Sequence, residues 1–297
     1  IPRSGKIRKK NIIYEYFNFV KRMVAIKPRE IAKSKEFCVP TEYEQALQYF
    51  EQDARTGKNL NKYLSDSILK PAEPDDLLND WNIVHFHLTK RFRNDGFAKR
   101  SNYQIFAWIT DECLYMIQIY PHKEPYLYSK QEILQIVEHN WPQLLEPYRV
   151  PGAIKLTEKL DDQAYADCHK AHISTMVQIG KNKVYYAMGG GYMSDGSSSE
   201  ALRNADFWIE RMRICENIIR KNMKKITSVI RNLRSKVDSN YKIKMTMLPN
   251  NANCITVVEL HNLVGIQLLL DKELLRIYRI EEECKYQMHE KNIYKYF

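Results

Sequence analysis

The chain has no paired cysteines of the CxxC kind. Its six cysteines, Cys38, Cys113, Cys168, Cys215, Cys254 and Cys284, are spread along 297 residues, whereas a disulfide framework or a structural zinc site would cluster them. They read as reduced, mostly buried thiols of a cytoplasmic protein. No run of about eighteen apolar residues occurs, so no membrane span is predicted. The opening IPRSGKIRKK is basic and lacks the apolar centre of a signal peptide; the absence of an initial Met suggests a trimmed terminus. GxSxG, HExxH, GxGxxG, a Walker GK[ST], a DxD with a downstream acid and a PD…ExK pattern are all missing, which excludes the best-marked hydrolase, zinc-protease, nucleotide-binding and metal-nuclease classes. There is no internal repeat, and no low-complexity run beyond GGG and SSS.

Hydrophobic residues make up 44% and aromatic residues 11%, a composition that folds. The net charge of +10 favours a polyanionic partner, RNA first and DNA second, although solubility alone accounts for such a charge equally well. No cofactor is implied.

In chain order, residues 11–27 have a helical apolar stripe and Pro28 beyond it. A second helix is predicted over 41–55, with Thr41 and Glu44 as a capping box and Gly57 after it. GKNLNKYLSDSILKP reads as a short helix and PAEPDD as a linker. Residues 83–88 alternate: Val84, Phe86 and Leu88 form an apolar face, and Ile83, His85 and His87 an opposite face that reads as open. Tyr103 to Trp108 and Cys113 to Tyr120 form a hairpin turning at Thr110–Glu112. Ser129 with Glu132 reads as the capping box of a helix to Asn140. One helix is predicted over 156–172, then a hairpin of 173–179 and 183–188. A single long helix is predicted over 200–237, with a heptad seam of Ile219, Met223, Ile226, Ile230, Leu233 and Val237. Strands follow over 242–247 and 255–260, then a core element LVGIQLLL and a helix from Lys272. The fold class is therefore α+β: an N-terminal helical segment (1–70), a central antiparallel-sheet domain (71–198) and a C-terminal module (199–297) built on a long basic helix.

The chemistry concentrates between Leu77 and Pro142. His85 and His87 share one strand face; spacing suggests no third metal ligand, so acid–base work is preferred over metal binding, with ordinary hydrogen-bonded histidines as the plain alternative. The following loop and hairpin bring Arg91, Arg93, Lys99, Arg100, His122, Lys123 and Tyr126. Such a set suits metal-free RNA cleavage, in which a base takes the 2′-hydroxyl proton, a cation stabilises the phosphorane and an acid protonates the 5′-oxygen. The GGGYMSDGSSS turn offers backbone N–H groups of Gly189, Gly190 and Gly191 and the Ser194 hydroxyl to a phosphate, or Ser198 or Ser199 simply caps the next helix; Ser194, Asp195 and Ser197 are also candidate substrate contacts. Arg220, Lys221, Lys224 and Lys225 of the basic helix could meet nucleic-acid phosphates. The heptad seam suits a homodimer, a bundle or a neutralising partner protein. Cys168, His169 and His172 lie together on a helix with no partner in view.

The order RSNYQIFAWITDECLYMIQIYPHKEPY resembles the end of RelE-like ribonuclease toxins, two helices followed by an antiparallel sheet, over residues 41–128. The resemblance implies that Arg100, His122, Lys123 and Tyr126 are cleavage or mRNA-contact residues. The HFH strand and the large C-terminal half depart from that pattern. LLNDWNIVHFHL…HNWP…GGG is also similar to a group of bacterial proteins, which implies a source and no mechanism. The first functional expectation is a metal-independent endoribonuclease of toxin–antitoxin or antiviral type, with His85, His87, Arg91, Arg100, His122 and Tyr126 as its catalytic set. The second is a non-catalytic protein that binds nucleic acid or a partner through its basic helix.

Overall fold

The computed structural model describes residues 12–70, 73–233, 236, 238–240, 243–246, 254–259, 261–262, 264–269 and 274–279. The architecture is α+β, in two compact units, Ile1–Ala205 and Asp206–Phe297.

The first unit opens with α1, Ile12–Arg22, whose last residue, Arg22, is buried and donates to the carbonyls of Ser67 and Lys70 at 2.7 Å each. The short strand β1, Glu30–Lys33, precedes α2, Glu44–Arg55. The predicted capping box of Thr41 and Glu44 does not form: Thr41–Tyr43 is a separate 3-10 turn, closed by Tyr43 N–H on the Pro40 carbonyl at 2.8 Å. Gly57 ends α2 with φ 71°, and a Cβ there would lie 2.6 Å from the Pro28 ring. The predicted short helix after it is two 3-10 turns, Leu60–Tyr63 and Asp66–Leu69, capped by Asn59 and Ser65. Helix α3, Asp76–Trp81, is capped by the Asp75 carboxylate and stops at Asn82 in the left-handed region.

The sheet of this unit follows: β2, Val84–His87; β3, Tyr103–Ile109; and β4, Cys113–Pro121. Its order is β1-β4-β3-β2, antiparallel except that β1 runs parallel to β4. In β4, Met116 faces Ala107 and Gln118 faces Phe106, so Ile117 is the extra residue of a bulge. The bulge shifts the phase of the strand. Leu114 and Met116 before it and Ile119 after it reach the same core, while Ile117 and Tyr120 reach the other.

Both sheet faces are buried. One packs on α2 through Phe50, Phe86, Ile105 and Met116. The other carries Trp81, Ile83, Phe106 and Trp108 beneath α4, Glu132–Asn140. Fully burying one such large apolar side chain contributes about 2–3 kcal/mol. This double cover corrects two expectations. The histidine face of β2 is not an open surface, and residues 12–70 share the α2-side core instead of forming a segment of their own.

Ser129 does not cap α4. Its hydroxyl donates to the carbonyls of Tyr126 and Asp162, and the Asp162 carboxylate accepts the Gln131 N–H at 3.0 Å. Helix α5, Asp162–Lys170, is capped by Asp161 and is shorter than predicted. The second hairpin is present as β5, Val177–Ile179, and β6, Lys183–Tyr185.

The predicted single long helix is two, α6, Ser199–Lys221, and α7, Met223–Leu233. Asn222 separates them, and its side chain bonds back to the Ile218 carbonyl at 2.8 Å. The second unit adds an antiparallel meander of β7, Ile243–Thr246; β8, Cys254–Glu259; β9, Val264–Leu269; and β10, Leu274–Arg279. The helix predicted from Lys272 is replaced by strand β10 over its described residues, 274–279; the rest of it lies outside the described residues. Cys215, Ile218, Ile226 and Ile230 pack in one core with Ile255, Val257, Val264, Ile266 and Leu268. Ile226 and Ile230 of the seam are thus buried against this chain's own sheet, with Ile219, Met223 and Leu233 partly buried on the same core; Val237 lies outside the described residues. Among the described residues no helix is long and apolar enough to cross a membrane.

Candidate functional site

Alternation along β2 sends His85 and His87 to one face, where they stand opposite Phe106 and Gln104 of β3. His122 follows β4, held by its N–H on the Asn102 carbonyl at 2.7 Å. Its ring lies parallel to that of His87, with centroids 6.4 Å apart and planes 5° apart. His85 lies 5.1 Å from the Tyr128 ring and 6.0 Å from Phe106. The Tyr128 hydroxyl donates to Gln104 Oε1 at 2.9 Å. The three imidazoles thus form a row in which His87, at the middle, is 6% exposed, His85 on one side is half-buried and His122 on the other is open to solvent.

Burial controls the electrostatics. It pushes the His87 pKa down to about 4, helped by the positive ends of His85, His122 and Arg100. His85 is also lowered, again first by burial. Each has a buried Nδ1 with no hydrogen-bond partner among the described residues. Both rings are therefore neutral at pH 7, and a neutral imidazole has a nitrogen able to accept a proton. Burial holds the Tyr128 hydroxyl protonated.

Of the predicted cations, Arg100 joins this group, since its charge acts on both His87 and Tyr128. Arg91 is exposed, and no hydrogen bond or ion pair links its side chain to the imidazoles; its backbone pairs with Thr89 and Lys99. Arg93 is not free for phosphate, being paired with Asp66 at 2.7 Å and with Asp95. Lys99 and Lys123 are exposed. Tyr126 is exposed, with φ 51°, and it is Tyr128 that reaches the histidines. Sequence reasoning missed Tyr128 and Gln104. The signal for Gln104 was its place at the head of β3, opposite a strand histidine; Tyr128 had none beyond its position in YLY.

The glycine turn is not a phosphate cradle. The N–H groups of Gly189, Gly190 and Gly191 already donate to the carbonyls of Asp80, Ala187 and Asn79 at 2.8–3.0 Å. The turn clips onto α3, and a Cβ on Gly189 would sit 2.0 Å from the Leu78 carbonyl oxygen. Ser198 caps α6 and also accepts from Lys21 Nζ, which donates to the Gly189 carbonyl and pairs with Glu200. Ser194 is exposed, and Asp195 accepts from Ser197.

His169 has the partner that the sequence did not reveal. Its Nε2 lies 3.1 Å from Asp80 Oδ2, with both residues buried. Trp81 and Tyr192 pack on its ring at 5.7 and 6.1 Å. The other Asp80 oxygen and Asn79 Oδ1 are buried without hydrogen-bond partners among the described residues. The pair ties α5 to α3.

In the second unit, Arg220 pairs with Glu216 at 2.6 Å, while Lys221, Lys224 and Lys225 are exposed. Among the described residues no group of three or more His, Cys, Asp and Glu side chains is placed to hold a metal ion. No protein-family model, curated protein or solved structure matches this chain.

Proposed function

We propose that this chain is a metal-independent endoribonuclease, of toxin-like or anti-phage type, that cleaves RNA at the His122 end of the histidine row. The carrying observation is the parallel approach of His87 and His122 at 6.4 Å. In this reading, His122 takes the proton of the 2′-hydroxyl and the oxygen attacks phosphorus. Arg100, with Lys99 and Lys123, stabilises the charged phosphorane. As the bond to the 5′-oxygen breaks, that oxygen takes a proton from solvent, leaving a 2′,3′-cyclic phosphate and a 5′-hydroxyl; Tyr126, which is exposed and does not reach the histidines, takes no part in the step. His87, neutral behind His122, positions it by ring stacking. His85, enclosed by Phe106 and Tyr128, is a packing residue in this scheme. The resemblance of the sequence to the end of RelE-like toxins would give His122 and Lys123 the same part. A neutralising protein would be the natural partner of such a toxin.

The test uses the full chain and His122→Ala on single-stranded RNA in EDTA. Cleavage to cyclic-phosphate ends, reduced by about 10²–10⁴-fold on substitution, is the expected result for an acid–base residue. Equal cleavage by the two proteins overturns the assignment. A second reading is favoured by the enclosure of His85 and His87, which leaves chiefly cations at the surface. It makes the chain a non-catalytic nucleic-acid-binding protein, and salt-sensitive binding without any cleavage selects it.

A further inference from the structure

The second unit has a basic face with no assigned role. In α7, Ile226 and Ile230 are buried against the sheet, while Lys224, Lys225 and Arg231 are exposed. At 100° per residue, Lys224 and Arg231 stand one above the other, opposite that apolar stripe. Lys221, at the end of α6, is exposed as well. Among the described residues no carboxylate lies within ion-pair distance of any of these four cations. The acids of α6 nearest in sequence are already engaged, Glu210 with Arg213 at 3.6 Å and Glu216 with Arg220.

Three exposed cations of α7, with Lys221 just ahead of it at the end of α6, are complementary to a phosphate backbone. An anionic membrane is the competing partner. A helix that lies on a membrane must insert its apolar face, and here Ile226 and Ile230 are fully buried in the core of their own unit. A convex helix flank also carries no groove into which a base could be turned, so contacts there would be to phosphate and sugar.

We infer that the α6–α7 flank is a sequence-independent docking surface for single-stranded RNA, with Lys221, Lys224, Lys225 and Arg231 contacting its phosphates. The inference shares with the cleavage reading only its RNA partner. It requires none of the histidines of the first unit.

Anisotropy of a fluorescein-labelled 2′-O-methyl oligouridylate, which has no 2′-hydroxyl to attack, tests it, titrated with the full chain between about 50 and 200 mM salt. The comparison is with a variant carrying Lys221→Gln, Lys224→Gln, Lys225→Gln and Arg231→Gln. Each lost phosphate contact lowers the slope of log K on log salt by about 0.7, so the variant should be shallower by about 3 and bind at least about 10-fold more weakly. Equal slopes and affinities overturn the inference. So does a variant that loses binding to phosphatidylserine vesicles while keeping RNA, which would assign the face to membranes. The pair Lys224→Gln, Arg231→Gln gives an independent readout, with a slope change of about 1.4. The Gln variant must still cleave a dinucleotide in EDTA at the rate of the parent chain, and it must lose binding whether or not His122→Ala abolishes cleavage, so failure of either idea leaves the other standing.

Discussion

His169 and His87 are both closed off from solvent, yet one meets a carboxylate and the other meets another ring. His169 lies 3.1 Å from a buried Asp80 oxygen. His87 stacks on His122, and its Nδ1 has no hydrogen-bond partner among the described residues. A paired buried imidazole is a structural tie whose loss strands its partner. An unpaired one is a latent acid sensor, because burial opposes its charged form. The same residue type thus serves cohesion under the glycine turn and proton chemistry on the sheet.

The contrast is broken most strongly at the pair. Asp80→Ala leaves His169 enclosed without its carboxylate, and a buried polar group stripped of its hydrogen-bond partner costs about 1–3 kcal/mol, to which the cavity left by the side chain adds. Urea unfolding at neutral pH measures this; a loss below about 1 kcal/mol would mean that the pair holds nothing together.

The next effect is the acid limb of stability. The His87 pKa is about 4 in the folded chain, against about 6.5 unfolded. Below pH 6.5 the unfolded chain binds the proton that the folded chain refuses, so stability falls as pH drops from 6.5 towards 4. The contribution is present in full above 6.5 and amounts to about 3 kcal/mol. His85 acts with the same sign. His87→Gln should flatten this limb in unfolding curves recorded from pH 7 to 4. An unchanged limb would show that His87 is protonated without difficulty in the folded state.

The smallest effect sharpens the comparison. Arg100→Ala removes one positive neighbour from His87, and the midpoint of His87 in an NMR titration should rise by less than about one unit. The substitution should leave unfolding at neutral pH within about 0.5 kcal/mol.

Much of the fold was legible because it depends on local rules. The HFH alternation, the turn at Thr110–Glu112 and the apolar pattern of β3 and β4 specified a hairpin and, ahead of it, a strand with two histidines on one face. What covers that face was not legible, since α4 and Tyr128 come from later in the chain. The capping patterns TEYE and SKQE matched a motif, yet the bonds went to Pro40 and to Asp162, which only tertiary placement could reveal. The heptad spacing was a true packing signal with the wrong partner, because Asn222 interrupts the helix and a sheet takes the seam. Asp80 and His169 are 89 residues apart with no shared period, so nothing in the order of letters joined them.

The parallel pairing of β1 with β4 sets a timetable. Ile31 faces Leu114, so the first strand leaves the ribosome eighty-three residues ahead of the strand it joins. At ordinary elongation rates that gap lasts about 4 to 17 seconds. During that interval the nascent segment has α2 and the turns after it for company, but no ladder to enter. Chaperone-binding and stalled-chain pulse proteolysis should therefore find residues 30–33 open until translation has passed residue 121.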